Sequence, residues 1–293
     1  MATDVPCRGE LNQTTVAPLV AALVSERNSP SDPVVLDLRD LEFAHPFPLA
    51  VLAAQLEAQV PPDGAVAIRC PLQAGARQYL ASCGFLQEAA QHVEVVGDDG
   101  LRHRSKSWAA NTVLPLTRLR AGEDIAPVLE RVDDRLDVLL RGDRGRADSV
   151  RAPIRSTIRE MCVNIFHHAD YDTGWIAAQQ YRNRRTGVPY VEIGVADAGR
   201  GIRTSLATEY PQVAEVPDAE AVGQALRGKS RRGAAYLGGG FFVLQRAAKE
   251  LDGRFYLRSG HGAALRPRRG GLRTIEADER WPGTHLRIAL TCQ

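Results

Sequence analysis

Along residues 154–168 the apolar positions Ile154, Ile158, Met161 and Ile165 recur at i, i+4, i+7 and i+11, the stripe of a helix with one buried face. Glu160, Asn164 and His168 follow one another at four-residue steps on the same segment. At 3.6 residues per turn each step of four drifts by only about 40°, so the three form one row, roughly 90° round from the apolar stripe. Such a row borders a pocket rather than the centre of a core, although a solvated helix face has the same spacing. Its carboxylate can take a proton from water, and its carboxamide oxygen is a hard ligand for magnesium.

Elsewhere the pattern alternates between short apolar runs and amphipathic stretches. Within residues 1–97 it predicts helices over Thr15 to Ser25, Leu49 to Val60 and Gln73 to Cys83, and strands over Val34 to Leu38 and Ala65 to Arg69. Gly84 is placed as the C-cap of the third helix. Alternating strands and helices argue for an α/β unit, a mixed sheet under helical cover. The polar run 98–106 predicts a linker, and 107–293 a second domain. That domain opens with a strand at Thr112 to Leu116, which Pro115 confines to a sheet edge. An amphipathic helix over Asp124 to Arg141 and a charged connector, Gly142 to Asp148, lead to the central helix.

Beyond it, the strands Gly174 to Tyr181 and Tyr190 to Ala196 flank a basic turn and predict an antiparallel hairpin. Residues 203–237 show no strong period and carry Pro211, Pro217, Gly223, Gly228 and Gly233, which predicts a mobile segment with at most short helices, of the kind that serves as a lid. Gly238-Gly239-Gly240 then opens a helix from Phe241 to Leu251. Glycine costs about 1 kcal/mol against alanine inside a helix, so a triplet at a helix start makes sense where backbone N–H groups approach a phosphate. A strand at Arg254 to Arg258, an Arg/Gly-rich hairpin from Gly260 to Gly271 and a strand at His285 to Leu290 complete the pattern.

Composition narrows the partners. Of the 293 residues 44% are hydrophobic and 25% charged, and net charge is +2, so no whole-chain field draws the protein to nucleic acid or membrane. Binding of nucleic acid through Arg184-Arg185 or Arg266-Pro267-Arg268-Arg269 is therefore set aside. No run of about 18 apolar residues occurs and no signal peptide is recognised, so no membrane association is expected. The five cysteines are odd in number, widely spaced and without C-x-x-C, which fits a reducing cytoplasm better than a disulfide framework or a zinc site.

Two resemblances follow from the motifs. VVLDLRDLEFAHPFPLAVLAAQL, GAVAIRCP and ARQYLASCGF look like the STAS domain of anti-sigma-factor antagonists, over about the first third of the chain. That family carries a phosphorylatable Ser or Thr where this chain has Ala44-His45-Pro46-Phe47-Pro48, so its regulatory phosphorylation is not expected here. The ordered set E-x-x-x-N-x-x-x-H-A at Glu160 to Ala169, D-x-G-x-G-I at Asp197 to Ile202, G-G-G-F at Gly238 to Phe241 and G-T at Gly283-Thr284 resembles the GHKL ATPases, over roughly residues 107–293.

The second resemblance implies a Bergerat α/β sandwich, a mixed, mostly antiparallel sheet covered by helices on one face, that binds ATP and Mg2+. In it Glu160 activates the attacking water, Asn164 binds magnesium, and His168 lies near the phosphates. Asp197 accepts a hydrogen bond from the adenine amino group. Gly199, Gly201 and Ile202 pass close to the base, Gly238, Gly239, Gly240 and Phe241 surround the phosphates, and Thr284 lies behind Asp197. Lys229 and Ser230, with Arg231 and Arg232, fall where the lid touches phosphate. Histidine kinases usually have Asn at the head of the first motif and carry a phosphoacceptor His on a dimerisation helix pair. Glu160 here argues instead for transfer to water or a hydroxyl. The expected function is ATP hydrolysis with the STAS-like domain docking a protein partner. The alternatives are an anti-sigma-type protein-serine kinase and a non-catalytic ATP-dependent switch, and closure of the lid through a homodimer is left open.

Overall fold

The computed structural model describes residues 3–28, 33–61, 65–103, 111–120, 122–139, 144–168, 173–229 and 241–292, with backbone alone at 28, 139, 144–149, 167 and 168. The chain is α/β. Its first part runs β1 (Thr3–Pro6), β2 (Gly9–Leu11), α1 (Ala17–Asn28), β3 (Val34–Asp37), β4 (Leu41–Ala44), α2 (Pro46–Gln59), β5 (Val66–Arg69), α3 (Ala74–Ser82), α4 (Phe85–Ala89) and β6 (Glu94–Val96). Strands β1-β3-β5-β6 form a four-stranded sheet, and β2 with β4 a separate pair. The four-stranded sheet is parallel at every pairing rather than mixed, because each strand returns to it through at least one helix. Gly84, at φ +92°, ends α3 as expected and opens α4 directly.

The second part comprises β7 (Thr112–Leu119), α5 (Ile125–Leu139), α6 (Arg144–His168), β8 (Gly174–Arg182), β9 (Pro189–Asp197), α7 (Gly201–Ala207), α8 (Asp218–Leu226), α9 (Phe241–Glu250), β10 (Arg254–Arg266) and β11 (Arg273–Thr291). The five strands pair in the order β10-β11-β9-β8-β7, antiparallel throughout. β7 takes the edge, and its register with β8 passes from Leu114 to Thr117 without Pro115, which has no N–H to give. The supposed connector before the central helix is helical from Arg144.

Two further expectations change. The Arg/Gly-rich hairpin is mostly strand, since β10 and β11 stay paired out to Leu265 and Arg273, and the last strand begins well before His285. The segment after Ile202 is not loose as far as Lys229. Ala221, Val222, Ala225 and Leu226 of α8 are buried, and α8 packs on β10. A Cβ at Gly262 would stand 2.4 Å from the Asp218 carbonyl carbon, so only glycine allows this approach. Asp218 accepts from the His261 N–H at 2.8 Å and pairs with Arg203 at 3.0 Å, while Glu276 accepts from the Ala219 N–H at 2.7 Å. Residues 230–237 of the expected lid lie outside the described residues.

Helical cover was expected on one face of the five-stranded sheet, but both faces are covered. On one side α5, α6 and α9 close a core that includes Ile154, Ile158, Met161, Ile165, Ile176, Ile193, Val195 and Leu286. On the other side α2 of the first part lies across β8 and β9. There Leu116, Trp175, Ala177, Ala196 and Trp281 join one apolar cluster with Phe47, Leu52 and Leu56. Helix and sheet come so close that a Cβ at Gly194 would sit 2.2 Å from the Phe47 Cα.

Polar groups pin this contact. Gln55 Nε2 donates to the Pro282 carbonyl at 3.0 Å, Trp175 Nε1 donates to Glu57 at 2.8 Å, and Tyr79 Oη donates to Gln179 at 2.9 Å. Glu192 faces Arg287 at 2.6 Å and the His45 ring at 3.3 Å. Burial pushes the Glu192 carboxyl up, but His45 and Arg287 outweigh it and hold it at about 2. Among the described residues no helix is long and apolar enough to cross a membrane.

Candidate functional site

Asp197 ends β9, opposite Thr284 of β11 in the antiparallel register, so two of the sequence motifs meet through strand pairing alone. Its side chain is buried, and Oδ1 accepts from the Gly199 N–H at 2.9 Å and the Thr284 N–H at 3.2 Å. Both hydrogen bonds fall on one oxygen, so the other is the one left to read a donor. Burial pushes the carboxyl up to about 7, against those two N–H groups, which pull it down.

The backbone around it is tight. Gly201, at φ +79°, starts α7, and Gly283, at φ +89°, lets β11 pass so close that a Cβ there would stand 1.9 Å from the Asp197 carbonyl oxygen. Ser259 was not anticipated. Its Oγ donates to the Gly283 carbonyl and accepts from the Ile202 N–H, both at 2.8 Å, and so ties α7 to the turn before Thr284. No spacing signal announces it; it becomes visible only through its pairing with Thr284 across β10 and β11.

The central helix stands as the apolar stripe requires, with Ile154, Ile158, Met161 and Ile165 all in the core. Glu160 and Asn164 are half-buried at its edge, and α6 packs against α7 and α9. Glu160 Oε1 lies 3.3 Å from the Arg159 guanidinium. The side chain of His168, together with Ser230 and the triplet Gly238, Gly239 and Gly240, falls outside the described residues. Phe241 begins α9 immediately after that triplet and packs against the core. Lys229, after α8, donates to Gln224 at 2.7 Å and lies over the Tyr210 ring at 5.1 Å.

A scan against protein-family models matched none, and a search of the curated proteins returned no relative.

The donor set around Asn164 bears on a metal. Among the described residues no group of three His, Cys, Asp or Glu side chains could hold an ion. Magnesium does not need one, because it usually keeps several waters and takes one or two protein oxygens plus substrate phosphates. A single half-buried carboxamide is compatible with that mode. The arrangement therefore combines a buried carboxylate with an open acceptor oxygen, a tight glycine-bearing backbone beside it, and a half-buried carboxylate and carboxamide on the neighbouring helix.

Proposed function

We propose that the chain binds ATP with magnesium and hydrolyses it, with the base read at Asp197 and the phosphates held between α6 and the start of α9. The observation that carries this is the buried Asp197, fixed through one oxygen by Gly199 and Thr284. A desolvated acceptor of this kind suits an amino donor such as the exocyclic amine of adenine, and a partner lacking that amine would leave it unpaired at a cost of about 1–3 kcal/mol. The residues present fit magnesium held by Asn164 and phosphate oxygens, and a bound ion would neutralise charge on the transferring phosphoryl group. Glu160, one turn before Asn164, orients and deprotonates water. Gly201 and Gly283 keep the walls near Asp197 free of side chains.

The resemblance to GHKL ATPases supports the same reading, with a STAS-like first part. The cover that α2 gives the sheet favours a second reading, a nucleotide-dependent switch, because one face of that part is already engaged within the chain. Phosphoryl transfer to a serine of a separate protein is the remaining alternative. Incubation with γ-labelled ATP and magnesium separates the three. Free labelled phosphate, lost in Glu160→Ala while affinity persists, is the expected result. Turnover unchanged in Glu160→Ala refutes the assignment, label on a protein partner selects the kinase, and tight ATP retention without turnover selects the switch.

A further inference from the structure

We infer that Gln55, on helix α2 of the first part, is a positioning residue for the base-reading carboxylate, so that the first part is built into the nucleotide site. The inference rests on the reading of Asp197 given above. Gln55 is fully buried, and its Nε2 donates to the Pro282 carbonyl at 3.0 Å. The next residue, Gly283, lies against the Asp197 backbone, and the one after that gives its N–H to Asp197 Oδ1. A displacement of Pro282 therefore reaches the carboxylate within two residues, across a contact too close to absorb it.

Among the described residues, two other side chains hold carbonyls of the turn, both from the second part. His285 Nε2 lies 2.8 Å from the same Pro282 oxygen. A carbonyl can only accept, and burial pushes the His285 ring down to about 4, so the ring is neutral near pH 7 and Nε2 carries the proton. Ser259 holds the Gly283 carbonyl. Of the three, Gln55 alone crosses from α2.

Gln55 also carries a structural cost. Its Oε1 is buried without a hydrogen-bond partner among the described residues, which disfavours the fold relative to a satisfied or apolar group. A residue kept only for packing would be better replaced by a hydrocarbon of the same length. This separates a positioning role from a structural one, because Gln55→Met retains the volume and removes both the donor and the orphaned oxygen.

The test uses the full chain and three measurements on Gln55→Met: urea unfolding, amide hydrogen exchange of the free protein, and titration with a fluorescent N-methylanthraniloyl-ATP plus magnesium. The expected result is an unfolding midpoint equal to or above wild type, a Thr284 amide exchanging about fivefold faster, and affinity about fivefold weaker, the weight of one hydrogen bond. Exchange and affinity both within twofold of wild type overturn the inference, as does faster exchange with unchanged affinity. A lower midpoint with exchange raised evenly over β9, β10 and β11 also overturns it, since that is the signature of packing alone. If wild type binds no adenine nucleotide, the reading of Asp197 falls, and the Thr284 amide still decides by itself whether Gln55 positions the turn.

Discussion

Replacing Asp197 by Asn separates what the carboxylate does for folding from what it does for binding. The folded carboxyl is raised to about 7 from an ordinary 3.8 because it is buried. A carboxyl whose folded value is raised contributes stability that is fully present below the unfolded value and is lost as pH rises through the folded one. The difference of about three units, at about 1.36 kcal/mol each, amounts to roughly 4 kcal/mol against the fold above pH 7. Asn keeps an oxygen for the Gly199 and Thr284 N–H groups and never ionises. Urea unfolding should therefore find Asp197→Asn more stable than wild type by roughly 2 kcal/mol at pH 5 and roughly 4 kcal/mol at pH 8. The same variant replaces the open acceptor with an N–H2 group facing the adenine amine, so its affinity for ATP should drop by at least about tenfold. A variant less stable than wild type at pH 8, or a stability gap that does not grow with pH, refutes the argument from burial. Undiminished ATP binding refutes the argument for base reading.

Wild-type affinity for ATP should itself rise about tenfold between pH 6 and pH 8 in calorimetric titration, since the ionised fraction of a carboxyl near 7 grows from about a tenth to about nine-tenths; a flat profile over that range contradicts the role of the ionised form. Gly194→Ala would set a methyl group 2.2 Å from the Phe47 Cα and should destabilise the protein by about 1–3 kcal/mol or more in urea; a change under about 0.5 kcal/mol means that α2 does not lie on β9. Glu192→Gln strips Arg287 of its buried counter-charge and should cost about 3–5 kcal/mol at pH 7. Because the Glu192 carboxyl is held at about 2, its stabilisation is present above its ordinary value of 4.5 and lost as pH falls toward 2, so the loss caused by Glu192→Gln should shrink in acid unfolding curves.

The elements legible in the sequence were those whose one buried face has a helical or strand period. The stripe of α6, the hairpin β8–β9 and the edge placement of β7 all follow from local pattern and from Pro115. What was not legible was the second buried face of the five-stranded sheet. In β9 the alternation of Glu192, Gly194 and Ala196 with Val191, Ile193 and Val195 reads as one wet face and one dry face. The wet face is in fact dry, because α2 covers it and the Glu192 charge is met by Arg287 and His45. The signal lay in the helix rather than the strand. Nearly every residue of PFPLAVLAAQLEAQ is buried, including Gln55 and Gln59, and a helix apolar all round has to be enclosed on more than one side. Gly194 and Ala196, small residues in mid-strand, mark where another backbone comes close.

The same physics divides the site into what motifs can and cannot announce. Asp197, Gly201 and Thr284 stood out through the ordered motifs that resemble those of the GHKL ATPases, of which only the glycine-bearing turn after Asp197 is legible from local pattern. Their mutual geometry, however, is produced by residues with no motif. Ser259 reaches them through register on β10, and Gln55 reaches them from a helix 227 positions away from Pro282. Residues that act on a backbone carbonyl leave little trace in a pattern of polarity, since the atom they hold belongs to any residue type. A proline carbonyl held by two buried donors, next to a glycine that no other residue could replace, is therefore the sign of a turn whose position matters more than its composition.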